Sequence, residues 1–184
     1  MGRVSSIMMP LGSPQPDFEL SDAHGRIHRR DECRGPNGTL VMFLCNHCPF
    51  VQHVTEAIRI VSRRAGEFGV GVVGIMSNDF VAYPDDAPPK MIECAKSWGW
   101  DFPYLIDERQ TAAKAHGAVC TPDFFLYDSN GRLYYRGQVD SSRPGCGLPS
   151  NGEHVLGAMK SLAAGEPPPK TQLSSIGCNI KWRL

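Results

Sequence analysis

Two cysteines three positions apart, Cys45 and Cys48, are the residues of this sequence best placed for covalent chemistry. They follow the apolar run Leu40–Leu44, which predicts a buried strand, and they precede apolar residues at helical spacing. Two buried cysteines that act as small apolar residues are the alternative interpretation. The position between a strand end and a helix start favours a reactive pair.

Pro49 predicts where the helix begins, because proline fits best at the first helical position. We therefore expect a helix over residues 49–66 with Cys48 as its N-cap. The unpaired N–H groups of the first turn and the helix dipole stabilise a thiolate there. His47, when protonated, adds to this effect, so Cys48 is predicted to be the most acidic thiol of the chain.

Composition narrows the class of protein. The 184 residues, 41% of them hydrophobic, predict one domain, 1–184, in which residues 166–184 form a proline-rich C-terminal tail. Lys and Arg number 19, as do Asp and Glu, so the balance of charge suggests neither nucleic-acid nor membrane partners. No apolar stretch has transmembrane length, and residues 1–16 do not resemble a secretory signal.

The seven cysteines are odd in number and irregular in spacing, which argues against a secreted disulfide framework and favours the cytoplasm. We interpret Cys33 as exposed and incidental, and Cys94 as filler within a helix. The order of elements is that of an α/β protein. A hairpin around Gly25 comes first, apolar strands such as Val70–Met76 alternate with helices, and a second hairpin turns at Gly131.

A second stretch of interest is Thr121-Pro122, at the start of an apolar strand. Proline is unusual there because it removes a donor from the strand ladder. A cis peptide bond in a close approach to another loop explains it, and a trans-proline on an edge strand is the alternative.

Together, Cys45-Asn-His-Cys-Pro-Phe-Val51 and Cys120-Thr-Pro-Asp-Phe-Phe125 resemble the thioredoxin superfamily, in its peroxiredoxin-like (AhpC/TSA-related) branch. The resemblance covers about Pro14 to Trp182. It implies a thioredoxin-like fold, with a central mixed sheet flanked by helices, an N-terminal β-hairpin and a C-terminal tail extension. It further implies that Pro122 is the cis-proline beside Cys48, with Thr121 before it and Cys120 within reach.

The sequence departs from both families. Val51 stands where thioredoxin has its second cysteine, relative to a helix that starts at Pro49. Cys45 stands where peroxiredoxins have a threonine, and Pro122 stands where their arginine is expected.

Three functions remain open. The leading hypothesis is a thiol–disulfide oxidoreductase in which Cys48 attacks and Cys45, Cys120 or Cys178 resolves the mixed disulfide. A thiol peroxidase that forms a sulfenic acid at Cys48 is the alternative within the class. Metal binding by Cys45, His47 and Cys48, with Cys120 as a further ligand, is the third.

The expected partners are protein or small-molecule disulfides, or hydroperoxides, and a cellular dithiol reductant. The leading function needs no cofactor and no metal, and the sequence leaves the oligomeric state open.

The tail carries a prediction of its own. Ile176, Ile180 and Trp182 are apolar, which is unusual for a disordered terminus, so we expect them to dock on the domain. Gly177 permits a close backbone approach. In the stronger version of this prediction Cys178 lies near Cys48, and in the weaker version it only fills space.

Overall fold

The computed structural model describes residues 2–183. It contains ten strands: β1 (Arg3–Ser5), β2 (Glu19–Asp22), β3 (Ile27–Arg29), β4 (Gly38–Phe43), β5 (Val70–Met76), β6 (Tyr104–Ile106), β7 (Cys120–Thr121), β8 (Asp123–Asp128), β9 (Leu133–Gly137) and β10 (Ile176–Asn179). The five α-helices are α1 (Pro49–His53), α2 (Thr55–Ala65), α3 (Pro88–Trp98), α4 (Thr111–His116) and α5 (Glu153–Ala163). None of the helices within residues 2–183 has the length and apolar character needed to cross a bilayer.

Seven strands form the central sheet, in the order β3-β2-β6-β5-β4-β8-β9. β4, β5 and β6 run parallel, whereas β8 and β9 on one side and β2 and β3 on the other are antiparallel to their neighbours. The sheet is therefore mixed, as the sequence predicts, and β2 with β3 forms the expected N-terminal hairpin.

The side chains of β4 point alternately to the two faces of this sheet, and each face carries a hydrophobic core. Leu40 and Met42 pack with residues of α2, α3 and α5, whereas Val41 and Phe43 pack on the other face with residues of α4. Successive side chains of a strand point to opposite faces, so one fully buried strand supports both layers. Cys45 and Cys48 belong to the first face.

A second, three-stranded sheet closes the end of the molecule where β4 ends. Its order is β1-β10-β7, with both pairs antiparallel. The C-terminal tail is therefore docked, as predicted, and Ile180 is fully buried. The same prediction is wrong for Trp182, which is 37% exposed because the last pairing of β10 lies three residues before it, at Asn179.

The predicted single helix over residues 49–66 is divided at Val54. The N–H group of Val54 bonds to the carbonyl of Val51, three residues back, and its φ and ψ of −101° and 12° leave the helical region. This tighter last turn ends α1, and α2 begins at the next residue, Thr55. The apolar stripe is kept, since Ala57, Ile58 and Val61 are buried against the sheet.

Cys33 was predicted to be exposed, and this is wrong, since the residue is 8% exposed. It ends a short 3-10 turn, Arg30–Cys33, that lies against β5. The carbonyl of Cys33 approaches Gly71 so closely that a β-carbon at position 71 has no room. Because Gly71 has no side chain, the turn that ends at Cys33 can lie close against β5, which buries Cys33 although its sequence neighbours are polar.

Candidate active site

Cys48 lies where the sequence predicts, as the N-cap of α1 with Pro49 at the first helical position. Its backbone is extended, with φ −75° and ψ 121°, as proline requires of the residue before it. Cys45 lies two residues beyond the end of β4. Both side chains are almost completely buried, with 0% and 1% of their surface exposed.

Thr121 contacts both cysteines from the opposite side of the site. Cys48 Sγ lies 3.2 Å from the Thr121 carbonyl oxygen, and Cys45 Sγ lies 3.2 Å from Thr121 Oγ1. The Thr121–Pro122 peptide bond is cis, as predicted. The two motifs that were separate in the sequence therefore meet.

Cys178, from the docked tail, is the third cysteine at this point. It lies directly opposite Thr121 in the β10–β7 pairing, and its thiol and backbone N–H both donate to Cys48. Gly177 permits this approach, because a β-carbon there would collide with the Thr121 carbonyl. The position of Cys178 near Cys48 is confirmed, whereas its ability to resolve a mixed disulfide of Cys48 stays a prediction.

These donors decide which thiol ionises. The hydrogen bond from the Cys45 thiol contributes most to lowering the pKa of Cys48 to about 5. Burial opposes it, and the donors of Cys178 and the Val51 N–H act in the same direction as Cys45. Cys48 is therefore a thiolate at neutral pH, stabilised by its neighbours.

The two neighbouring cysteines remain thiols. Burial raises the pKa of Cys45 well above its usual range, and donation to Cys48 and the nearby Asp86 carboxylate raise it further. Burial and donation to Cys48 likewise raise the pKa of Cys178, to about 12. One sulfur is thus nucleophilic while two protonated sulfurs lie beside it.

His47 has a different main partner from the one expected. Its Nδ1 lies 2.7 Å from Asp86 Oδ2, and its ring stacks on Tyr83 with centroids 5.6 Å apart. The contact with Asp86 raises the pKa of His47, and the charge of Cys48 has only a minor effect. A protonated His47 is therefore mainly the counterion of Asp86.

Asp86 is the residue that sequence reasoning missed. It is completely buried, accepts the Asn46 N–H at 2.7 Å, and lies in the loop after β5. The available signal was its position, because ligands and functional groups collect where parallel strands end.

Cys120 is brought near the site but is directed elsewhere. Within residues 2–183 the only hydrogen bond of the Cys120 side chain is a long one, from Sγ to the Pro122 carbonyl at 4.0 Å. It pairs with Asn179, one position away from the pair of Thr121 and Cys178. Burial raises its pKa strongly.

A buried arginine lies on the opposite face of the sheet from Cys48. The Arg136 guanidinium stacks 4.4 Å from the Phe125 ring and pairs with Asp123 at 3.0 Å, both partners being fully buried. Phe125 belongs to the face opposite that of Cys45 and Cys48. This arginine therefore does not face the reactive sulfur.

Comparisons with known proteins agree with this fold. The AhpC/TSA family model matches residues 11–136, which leaves Cys178 outside the matched part. A thiol-disulfide oxidoreductase ResA from Geobacillus thermodenitrificans is 30% identical over 128 residues, which cover 67% of this chain and 66% of that protein. The chain thus spans slightly less than two thirds of the curated relative.

Two solved structures extend the comparison. An uncharacterized conserved protein from Geobacillus kaustophilus is 44% identical with a TM-score of 0.95, covering 100% of this chain and 97% of that one. The peroxidoxin BcpB from Mycobacterium tuberculosis is 20% identical, with a TM-score of 0.62. The alignment covers 85% of this chain and 98% of the BcpB chain, and it shows the shared fold.

The solved structures show that the fold is thioredoxin-like. Within that fold class, the chain belongs to the AhpC/TSA family.

Proposed function

We propose that this protein is a thiol–disulfide oxidoreductase in which Cys48 is the attacking thiolate. The observation that carries the proposal is the set of thiol and N–H donors on Cys48 Sγ, which lower its pKa to about 5. A thiolate is the reactive form of cysteine in exchange with a disulfide. The thiols of Cys45 and Cys178, which donate to Cys48, are next to the sulfur that would carry the mixed disulfide.

The reaction proceeds in two exchanges. The Cys48 thiolate attacks one sulfur of a substrate disulfide, forms a new S–S bond and releases the other sulfur as a thiolate. A second cysteine then loses its proton to that leaving thiolate or to solvent and attacks Cys48 Sγ. The second substrate thiolate leaves, the enzyme holds an internal disulfide, and a cellular dithiol returns it to the reduced state.

Cys45 and Cys178 are both candidates for the resolving cysteine, and the geometry supports each. Cys45 is the nearest candidate in sequence, three positions before Cys48, and its thiol hydrogen bond contributes most to the low pKa of Cys48. Cys178 reaches the same sulfur from β10, through side chain and backbone. Cys120, also considered from the sequence, is the weaker candidate because its thiol is directed to the Pro122 carbonyl.

Access to Cys48 requires a movement, because Cys45, Cys48 and Cys178 are each 4% exposed or less. A small groove lies beside Pro122, lined among others by Phe50, His53, Arg143 and Ile176. We infer that a protein or small-molecule disulfide docks in this groove and that β10, which carries Ile176, shifts to admit it.

The peroxidase alternative has less support. The buried Arg136 guanidinium lies on the other face of the sheet. The Arg143 guanidinium, which lines the groove, already donates to the Asp140 and Ser142 carbonyls and to the Gln138 side chain. Cys45 also occupies the place of the threonine expected in peroxiredoxins.

Parallel assays of purified protein test the proposal. We expect catalysed reduction of insulin disulfides by dithiothreitol, lost in Cys48→Ser and retained in Cys94→Ser, a matched change at a half-buried cysteine outside the site. Hydrogen peroxide consumption should stay near the uncatalysed rate. Rapid peroxide turnover without insulin reduction would contradict the proposal and support the peroxidase.

The cytoplasmic location remains a prediction from the number and spacing of the cysteines. Alkylation of all thiols in intact cells, followed by mass spectrometry, tests it. A reducing compartment predicts that Cys45 and Cys48 are recovered mainly as alkylated thiols, and full oxidation at steady state would contradict that location.

A further inference from the structure

A cluster of three different metal-ligand types lies on the side of Cys45 away from Thr121. Cys45, His47 and Asp86 each place one ligand atom within 4.8 Å of the other two. Cys45 and Asp86 are 1% and 0% exposed, and the His47 side chain is 13% exposed. The sequence suggested Cys48 and Cys120 as ligands, but those sulfurs are directed to the Thr121 and Pro122 carbonyls.

The His47 ring is short of partners for a buried polar group. Nδ1 lies 2.7 Å from Asp86 Oδ2, its main partner, whereas Nε2 has no hydrogen-bond partner within residues 2–183. A buried nitrogen that lacks a hydrogen bond is costly, so such a group calls for a ligand or a water. The imidazole is therefore available for coordination.

Asp86 is held in place by a second layer of hydrogen bonds. The Asn46 N–H donates to Oδ1 at 2.7 Å and the Asn78 amide donates to Oδ2 at 2.8 Å. Asn78 is anchored in turn by the Lys181 N–H, 2.8 Å from its side-chain oxygen. Metal sites rely on such outer partners to orient the ligands, and here the outer layer includes the docked tail.

A path from solvent leads to the cluster. His47 lines a surface cavity of about 400 Å³ together with Asp85, Lys90 and Glu93. Glu93 pairs with Lys90 at 2.7 Å, so Asp85 is the carboxylate at the cavity that carries no ion pair with that lysine and can attract a cation.

We propose that the reduced protein binds a divalent transition metal of the zinc type through Cys45 Sγ, an imidazole nitrogen of His47 and a carboxylate oxygen of Asp86. Thiolate, imidazole and carboxylate together suit Zn²⁺, whereas Ca²⁺ and Mg²⁺ prefer oxygen ligands alone. Three protein ligands leave the fourth tetrahedral position to a water. Small side-chain rotations that separate His47 from Asp86 complete the geometry.

Binding replaces the proton of the Cys45 thiol by the metal and releases that proton to solvent. A Cys45–Cys48 disulfide has no thiolate to offer, so metal binding and this disulfide exclude each other. The metal site thus holds the cysteine pair reduced. Metal binding needs only the reduced Cys45 thiol and does not depend on disulfide turnover. A direct binding measurement therefore tests the metal site separately from the proposed function.

Cobalt(II) is the probe, because its complexes with thiolates absorb in the near ultraviolet and tetrahedral sites give visible bands. Titration of the fully reduced protein under argon should give both features at one equivalent, and Zn²⁺ should displace them. Cys45→Ser should abolish the charge-transfer band. Asn78→Ala, which removes a hydrogen bond to a ligand, should weaken binding about 10–100-fold.

Two further variants act as controls. Cys48→Ser should keep the cobalt bands and bind at least as tightly as the wild type, because it removes no ligand and removes a group that, beyond burial, raises the pKa of Cys45. Cys94→Ser, at a cysteine that also lines the entry cavity, should bind cobalt as the wild type does. Absence of a thiolate band, a band that survives in Cys45→Ser, or a band lost in Cys48→Ser would each overturn the assigned ligand set.

Discussion

Cys178 lies directly across the β10–β7 ladder from Thr121, whose carbonyl oxygen lies 3.2 Å from Cys48 Sγ. This relationship joins residues 48, 121 and 178, which no local pattern connects. β10 also covers Cys48. The strand therefore supplies the Cys178 thiol, which donates to Cys48 alongside the Cys45 thiol, and it restricts access to Cys48.

The acidity of Cys48 gives the first prediction. In a Cys146→Ser background, which removes the exposed cysteine, iodoacetamide should modify Cys48 first, with a rate that rises through about pH 5. Cys45→Ala removes the strongest donor to Cys48 and should move that midpoint upward. Mass spectrometry of the alkylated sites measures both, and faster modification of Cys33 or Cys94 would contradict the site assignment.

The second prediction concerns stability and pH. The pKa of Cys48 is lowered from 9.0 to about 5 in the folded protein, so this group stabilises the fold fully above about pH 9. The contribution decreases as pH falls from 9 to 5 and is absent below that. Urea unfolding of the reduced wild type and of Cys48→Ser should therefore show a difference in unfolding free energy that grows between pH 5 and pH 9. A difference that is constant, or that decreases, would show that Cys48 is not ionised in the folded state.

Gly177 gives the third prediction, because a methyl group there would overlap the Thr121 carbonyl. Gly177→Ala should displace β10 and cost on the order of 1–3 kcal/mol of unfolding free energy, a typical penalty for overpacking. It should also speed alkylation of Cys48 by loosening its cover.

Gly157→Ala is the matched control for this substitution. Gly157 lies within α5, and a β-carbon there meets nothing within 4 Å. The control should be neutral or stabilising by about 0.4–1 kcal/mol and leave alkylation unchanged. Equal effects of the two substitutions on alkylation would show that β10 does not control access to Cys48.

Disulfide mapping gives the fourth prediction. Mild oxidation in the Cys146→Ser background should produce Cys45–Cys48 and Cys48–Cys178 linkages, because both thiols already donate to Cys48. Cys45→Ser should leave only the second linkage, and Cys178→Ser only the first. Peptide mass spectrometry after blocking free thiols measures the products, and a predominant linkage to Cys120 would assign the resolving role to that residue instead.

The sequence by itself determined the parts of the site that depend on neighbours in the chain. Pro49 sets the start of α1 through its fixed φ and missing N–H, and so places Cys48 at the N-cap. The order of apolar segments predicted an α/β protein, the resemblance to the thioredoxin superfamily implied the mixed sheet, and the apolar tail residues predicted docking. The inferences about Pro49 and about the tail each rest on backbone geometry or on a need for burial that can be read from a short segment of the sequence.

Only the tertiary structure decided which distant groups meet. Asp86 reaches His47 through a loop whose path no local pattern describes, and Cys33 is buried because Gly71 in another strand leaves room for its carbonyl. Trp182 is exposed because the ladder of β10 ends before it. The pKa of Cys48 itself depends mostly on donors from Cys45 and Cys178, whose positions follow from packing and strand register rather than from spacing in the sequence.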